Sequence, residues 1–130
     1  MKLRIVTPAA AIVDAEVSEV TAPGTEGEFG VLPLHVTFLG ALAPGLLTYV
    51  EGGTRKRVVV DGGYAEVRDD VITILADSAE LPSQIDAASA RADVTRLEQA
   101  AAAGADDPAR IEQILRDLSV ARARLAAATA

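Results

Sequence analysis

The stretch KRVVVDGGYAEVRDDVITILA, residues 56–76, decides the fold. Its runs of Val, Ile, Tyr and Leu are cut by Asp61-Gly62-Gly63 and by Asp69-Asp70, residues that tolerate the positive φ of tight turns. Runs this short, separated by turns this tight, read as strands of an antiparallel meander. Upstream the same rhythm continues. Residues 2–7 alternate Leu3 and Ile5 with Lys2 and Arg4, and residues 12–22 alternate Val13, Ala15 and Val17 with Asp14, Glu16 and Ser18 until Pro23-Gly24. Further runs at 29–32, 37–42 and 45–50 are separated by Pro and Gly, and Gly52-Gly53 closes the last before residue 56. About eight or nine short strands with no helical pattern between them predict an antiparallel β-sandwich or flattened barrel. Parallel crossovers have no room in this reading. The four aromatic residues, Phe29, Phe38, Tyr49 and Tyr64, all fall in strand patterns that direct them inward.

Composition shifts near Pro82. Of 26 Ala, 16 lie in residues 83–130, whereas nine of ten Gly precede residue 83. Ala is the best helix former, so the second part reads as helical. Ile111, Ile114, Leu115, Leu118, Ala121 and Leu125 recur at helical spacing, with Asp107 as N-cap and Pro108 in the first turn. Residues 86–103 carry Ala90, Val94, Leu97 and Ala101 at the same period and end at Gly104, a C-cap residue. The chain is therefore α+β: a sandwich domain over residues 1–83, then an antiparallel helical hairpin over residues 84–130. An Ala-lined hairpin buries little area at roughly 25 cal/mol per Å², so it must lean on its own sandwich or on a partner.

Composition also excludes functions. With no Cys, no Trp and a single His in 130 residues, disulfides, thiol chemistry and Cys/His metal centres are ruled out. Nineteen acids against 12 bases give a net charge of -7, the wrong sign for a nucleic-acid surface. No apolar run approaches the roughly 20 residues that span a bilayer, so direct membrane insertion is not expected. Residues 1–82 hold 12 acids and 6 bases, and three of those bases form the run Arg55-Lys56-Arg57, which reads as a charged strand edge or a contact for an acidic partner. On the helices all six bases are Arg: Arg91, Arg96, Arg110, Arg116, Arg122 and Arg124. They read as a solvated face, although Arg also suits reversible contacts to carboxylate or phosphate.

The segment Ala22-Pro-Gly-Thr-Glu-Gly-Glu-Phe-Gly-Val-Leu-Pro-Leu-His35 concentrates Gly, Pro, Glu and the one His. Its Gly spacing matches no phosphate loop, and its carboxylates would repel a phosphate. Glu28 and His35 are conceivable acid/base partners, but no nucleophile or oxyanion cradle accompanies them, and a constrained turn at the end of the sandwich is favoured. Asp61-Gly62-Gly63 and Asp69-Asp70 fit hairpin turns rather than a calcium loop.

These fragments carry a resemblance. Val6-Thr-Pro8, residues 22–33 with His35, Leu42-Ala-Pro-Gly45, Val60-Asp-Gly-Gly-Tyr-Ala-Glu-Val67 and Val71-Ile-Thr-Ile-Leu-Ala-Asp77, in this order and followed by an Ala-rich tail, resemble the epsilon subunits of F-type ATP synthases along the whole chain. The resemblance implies a non-catalytic central-stalk subunit that couples ion translocation to ATP synthesis. Its sandwich would bind the gamma subunit and the membrane rotor ring of c subunits, with Glu28 and His35 at the ring. Its hairpin would reach the alpha and beta catalytic subunits and inhibit ATP hydrolysis. The implied location is peripheral, on the cytoplasmic face of the bacterial plasma membrane, with no required cofactor. Relatives that bind regulatory ATP point to Asp86, Arg91 and Arg122. Two departures stand out. Leu34 replaces the Gly that usually precedes the His, which implies a turn without positive φ or a reshaped one. Ser89 stands where the nucleotide motif has Arg, and Arg91 lies about 140° round the helix from Asp86. The rival readings are a stand-alone sandwich that binds a small ligand and dimerises through its hairpin, and a small hydrolase using His35 with Glu28 or Asp61.

Overall fold

The computed structural model describes residues 1–129. The strands are β1 (Lys2–Val6), β2 (Ala11–Glu16), β3 (Glu19–Gly24), β4 (Gly27–Val31), β5 (Phe38–Ala41), β6 (Gly45–Glu51), β7 (Thr54–Val60), β8 (Gly63–Arg68), β9 (Val71–Ala76) and β10 (Ala79–Glu80). A 3-10 turn at Pro82–Gln84 leads into α1 (Ala87–Ala103) and α2 (Pro108–Thr129). Two five-stranded sheets, ordered β2-β1-β9-β8-β5 and β10-β7-β6-β3-β4, pack face to face. Alternation fills the space between them. Leu3, Ile5, Ala65, Val67, Ile72 and Ile74 of one sheet meet Val20, Val31, Leu47, Val58 and Val60 of the other, each at most 1% exposed. The turns follow their chemistry: Gly52 and Gly53, and likewise Asp69 and Asp70, have positive φ at both central positions, the form whose twist matches antiparallel strands.

Four features depart from the sequence expectation. β1 pairs with β9 in parallel, from Lys2↔Val71 to Val6↔Leu75, so one parallel pair sits inside the otherwise antiparallel sandwich. A parallel pair needs a long return, and here β2 to β8 supply it without a crossover helix. Residues 12–22 are two strands. The Val17 N–H reaches Met1 O in one sheet and the Ser18 N–H reaches Val50 O in the other, so the chain changes sheets between them. β3 also continues through Pro23, which pairs with Glu28; β3 meets β6 only over Glu19 to Thr21, so the N–H that Pro23 lacks is not needed there. Tyr64 points outward and is 59% exposed, whereas Tyr49 is buried and Phe29 and Phe38 stack half-buried with ring centroids 5.1 Å apart.

In the hairpin, Asp107 Oδ1 accepts from the Ala109 N–H at 3.0 Å, and Gly104 closes α1 with φ 72°. The expected stripe on α2 is only partly used. Ile114, Leu118 and Ala121 are buried, with Leu118 and Ala121 against Leu97 and Val94 of α1, while Ile111 and Leu115 face solvent. A second row, Val120, Ala123 and Ala127, packs on Val59 and Leu46 of the sandwich. α2 thus serves two interfaces, and its apolar residues are divided between them.

Candidate functional site

Three surfaces carry the candidate residues. The first is the turn after β4. The His35 N–H donates to Leu32 O at 3.1 Å, Pro33 occupies the second turn position and Leu34 the third at φ 65°. This is a type II turn, which demands positive φ at its third position. The turn therefore keeps the left-handed conformation with Leu in place of Gly, contrary to the expectation of a relaxed or reshaped turn. What holds it is specific: the Leu34 N–H donates to Asp70 Oδ1 at 2.9 Å, and Asp70 Oδ2 lies 3.5 Å from the N-terminal ammonium. The Leu34 hydrogen bond, with the ammonium assisting, holds the Asp70 carboxyl below the usual carboxylate range. Leu32, Leu34 and Val36 project into solvent around it, Leu34 by 84%. His35 Nδ1 lies 2.8 Å from Val36 O; since a carbonyl only accepts, Nδ1 carries the proton. Glu28 sits exposed on β4 beside a cleft of about 490 Å³ lined by residues 24–29 and 38–41. No ion pair or hydrogen bond joins Glu28 to His35 among the described residues; the His35 ring lies edge-on to Phe38 at 6.3 Å, and Phe38 in turn packs on Phe29, the neighbour of Glu28.

The second surface is the outer face of the β2-β1-β9-β8-β5 sheet. Register places Ala41, Tyr64, Leu75, Val6 and Ala11 in one row across five strands. Outward positions of a solvated sheet are normally polar, so an apolar row spanning the sheet marks a contact surface. Beside it a cleft of about 370 Å³ opens between Thr7-Pro8 and Gly63-Tyr64.

The third surface is the docked hairpin. Asp86 Oδ1 caps α1, accepting from the Ala88 and Ser89 N–H groups. Arg91 is exposed, and Arg122 reaches back across the hairpin to Glu98 at 3.3 Å. Asp86, Arg91 and Arg122 do not converge. Other residues do, at the junction with the sandwich. Arg116 Nη2 meets Asp61 Oδ1 at 2.9 Å. Arg124 forks onto Glu80, Nε to Oε1 at 2.7 Å and Nη2 to Oε2 at 3.3 Å, and also lies 3.7 Å from Asp93. The Glu80 hydrogen bonds push the Arg124 guanidinium still higher than its ordinary value. A side chain at Gly62 would strike Arg116 Nη2 and Asp77 Oδ2, so the bare backbone there lets α2 approach. Sequence reasoning grouped these arginines as a solvated face and missed Arg116 and Arg124 as bridges. The available signals were Arg without Lys on the helices and the second apolar row 120, 123, 127.

Taken by fold, this is a β-sandwich with a docked helical arm, its candidate groups spread over separate surfaces. The family model for the ATP synthase delta/epsilon chain β-sandwich domain matches residues 1–82. The ATP synthase epsilon chain of Nitratidesulfovibrio vulgaris strain DP4 is 44% identical over 97% of this chain and 87% of its own length. That of Syntrophobacter fumaroxidans is 48% identical over 76% of this chain and 74% of its own. A chain of the Euglena gracilis mitochondrial ATP synthase, solved as an assembly of OSCP, F1 and c-ring, superposes with TM-score 0.82 at 28% identity, covering 98% of this chain and 80% of that one. The chain belongs to the ATP synthase epsilon chain family.

Proposed function

We infer that this chain is a non-catalytic central-stalk subunit of an F-type ATP synthase, a rotor part that couples ion translocation to ATP synthesis. The observation that carries the geometric side of this reading is the division of labour between the two outer faces of the sandwich. One face bears the bare row Ala41, Tyr64, Leu75, Val6 and Ala11, while the opposite one carries the docked hairpin through Val59 and Leu46. A bare apolar row fits a permanent contact with the gamma subunit, and the Leu34 turn with Glu28 and His35 fits the rotor ring of c subunits. The helical arm is the part free to leave, reach the alpha and beta subunits and hinder hydrolysis, since the sandwich does not need it to close its core. No helix among the described residues is long and apolar enough to cross a membrane. The proposed position, peripheral on the cytoplasmic face of a bacterial membrane, rests on the likeness to epsilon chains.

Deleting residues 84–130 tests the two roles separately. Assembly with gamma and the c-ring is expected to persist, while ATP hydrolysis by the assembled complex changes; unchanged hydrolysis would remove the regulatory half. Regulatory ATP rests on the resemblance alone. Asp86 is occupied as a cap, Arg122 is paired with Glu98, and Arg91 stands apart, so a nucleotide would bind only by rearranging the hairpin. Millimolar MgATP is therefore expected to leave the amide exchange of α1 and α2 unchanged; clear protection there would restore the nucleotide site.

A further inference from the structure

A cleft of about 540 Å³ opens at the mouth of the sandwich, where the edge strand β2 of one sheet faces β7 of the other. That volume falls in the range of about 300–1,000 Å³ usual for small-ligand pockets. Its walls are chemically divided. Ile12, Val13 and Leu81 continue the sandwich core outward, and Tyr49, itself only 6% exposed, forms the floor. Arg55 and Lys56 stand exposed at the rim, and Arg57, half-buried, lines the cleft beside them. Those three are half of the six bases in residues 1–82, a region with 12 acids, so the scarce positive charge of the sandwich is concentrated at this opening. Two of the three are already paired, Arg55 with Glu19 at 3.5 Å and Lys56 with Glu51 at 2.7 Å. Arg57 has no carboxylate partner among the described residues. Burial raises the Tyr49 phenol's pKa above its ordinary value against the smaller downward pull of the Lys56 ammonium, so its hydroxyl stays a proton donor beside the cations.

We propose that this cleft binds a free amphipathic anion, a carboxylate or phosphate head on an apolar body, with the head forked by Arg57 and the body against Ile12, Val13 and Leu81. A guanidinium prefers such oxyanions because its parallel N–H groups match their geometry. The orientation also decides between a free molecule and a membrane lipid. The apolar side of the cleft is inward and the cations are at the rim, so the tail points into the protein; a bilayer lipid presents its head and keeps its tail outside. The remaining walls are Pro82 and Ser83, in the connection to the hairpin, and Ala127 of α2, so an occupant touches both parts of the chain. The proposal is independent of the rotor reading.

The test is an amide NMR titration of the full chain with octyl phosphate, with inorganic phosphate and octanol run in parallel at constant ionic strength. Saturable shifts centred on Ile12, Tyr49, Arg57 and Leu81 are expected, at concentrations about tenfold below those needed for head or tail alone. Arg57→Gln is expected to weaken binding about tenfold, and Tyr49→Phe to weaken it less, while Arg68→Gln, an exposed cation elsewhere on the sandwich, leaves it unchanged. Shifts that map instead to Leu32, Leu34 and Val36, equal binding by Arg57→Gln, or co-sedimentation of the chain with anionic vesicles in place of saturable binding would overturn the proposal.

Discussion

The sandwich and the hairpin bury the same kind of surface by different means. Between the sheets the contacts are made by branched aliphatic side chains such as Ile5, Leu47, Ile72 and Ile74, all essentially inaccessible. Fully burying one such side chain stabilises by about 1.5–3 kcal/mol, whereas an alanine methyl contributes under about 1 kcal/mol. The seam under α2 is built from Val59, Ala123 and Ala127, with Leu46, Ile85 and Val120 at its margin. What the hairpin lacks in volume it replaces with arginine bridges, Arg116 to Asp61 and Arg124 to Glu80. Exposed ion pairs contribute about 0–1 kcal/mol each, and a partly shielded bidentate pair somewhat more. One chain therefore holds a body fixed by shape and an arm fixed by a small apolar seam and a few polar contacts, the asymmetry that the proposed role of a rotor part with a movable brake calls for.

The comparison breaks first at the core. Ile74→Ala is expected to cost about 2–5 kcal/mol in denaturant unfolding of the sandwich, through the lost transfer energy and the cavity left behind. A loss under about 1 kcal/mol would mean the sheets are not the rigid body described here. Arg124→Gln sharpens the other side. It removes the fork onto Glu80 and is expected to weaken hairpin docking by about 1–2 kcal/mol, read as faster amide exchange along α2 with the sandwich unfolding transition unmoved. If both parts loosened together, the arm would be a structural member rather than a separable one.

How much of this was legible depended on the range of the interaction. Strands β6 to β9 could be read from alternation and turn residues because both are local: Val58 and Val60 point inward two residues apart, and Gly52-Gly53 sets its own turn. The division of residues 12–22 was also written locally and overlooked. Its inward residues switch from Val13, Ala15 and Val17 to Val20 and Ala22, a change of phase that one straight strand cannot make. The parallel β1–β9 pair had no local signal, since alternation fixes a face but never a neighbour. The bridges Arg124–Glu80 and Arg116–Asp61 join residues 44 and 55 apart in sequence, so residue type suggested arginine contacts without naming them. Glu28, His35, Asp86, Arg91 and Arg122 came from family resemblance, and folding placed the first two at the end of the sandwich and the other three on the hairpin.

A smaller effect lies in the pH response of the polar cluster under the Leu34 turn, where Asp70 and the N-terminal ammonium meet at 3.5 Å. The depressed pKa of Asp70 means its contribution is complete above the unfolded value of about 3.9 and is lost as pH falls through the lower folded value. The N-terminal ammonium behaves oppositely. Its pKa is raised, chiefly by the Glu16 hydrogen bond, so its contribution is present below 8.0 and fades as pH climbs through the raised folded value. Exchange of the Leu34 amide is thus expected to quicken in strong acid beyond the intrinsic pH dependence, and Asp70→Asn to remove the acid limb. A Leu34 amide indifferent to Asp70→Ala, which removes the acceptor altogether, would show that the turn is held by Pro33 alone.

The smallest expected change is also the one that best tells a structural residue from a functional one. Leu34 occupies left-handed backbone, which costs an L residue about 1–2 kcal/mol, and its side chain, 84% exposed, recovers almost nothing by packing. Leu34→Gly relieves that strain while giving the unfolded chain about 0.4–1 kcal/mol more conformational entropy. The balance lies between about 0 and 1.6 kcal/mol in favour of the variant, so a melting temperature up to a few degrees higher is expected. If Leu34 meets the rotor ring as proposed, the same variant binds the c-ring less well, and stability and affinity move in opposite directions. A lower melting temperature would instead mean that Leu34 packs on the sandwich, and the exposed turn would lose its standing as a contact surface.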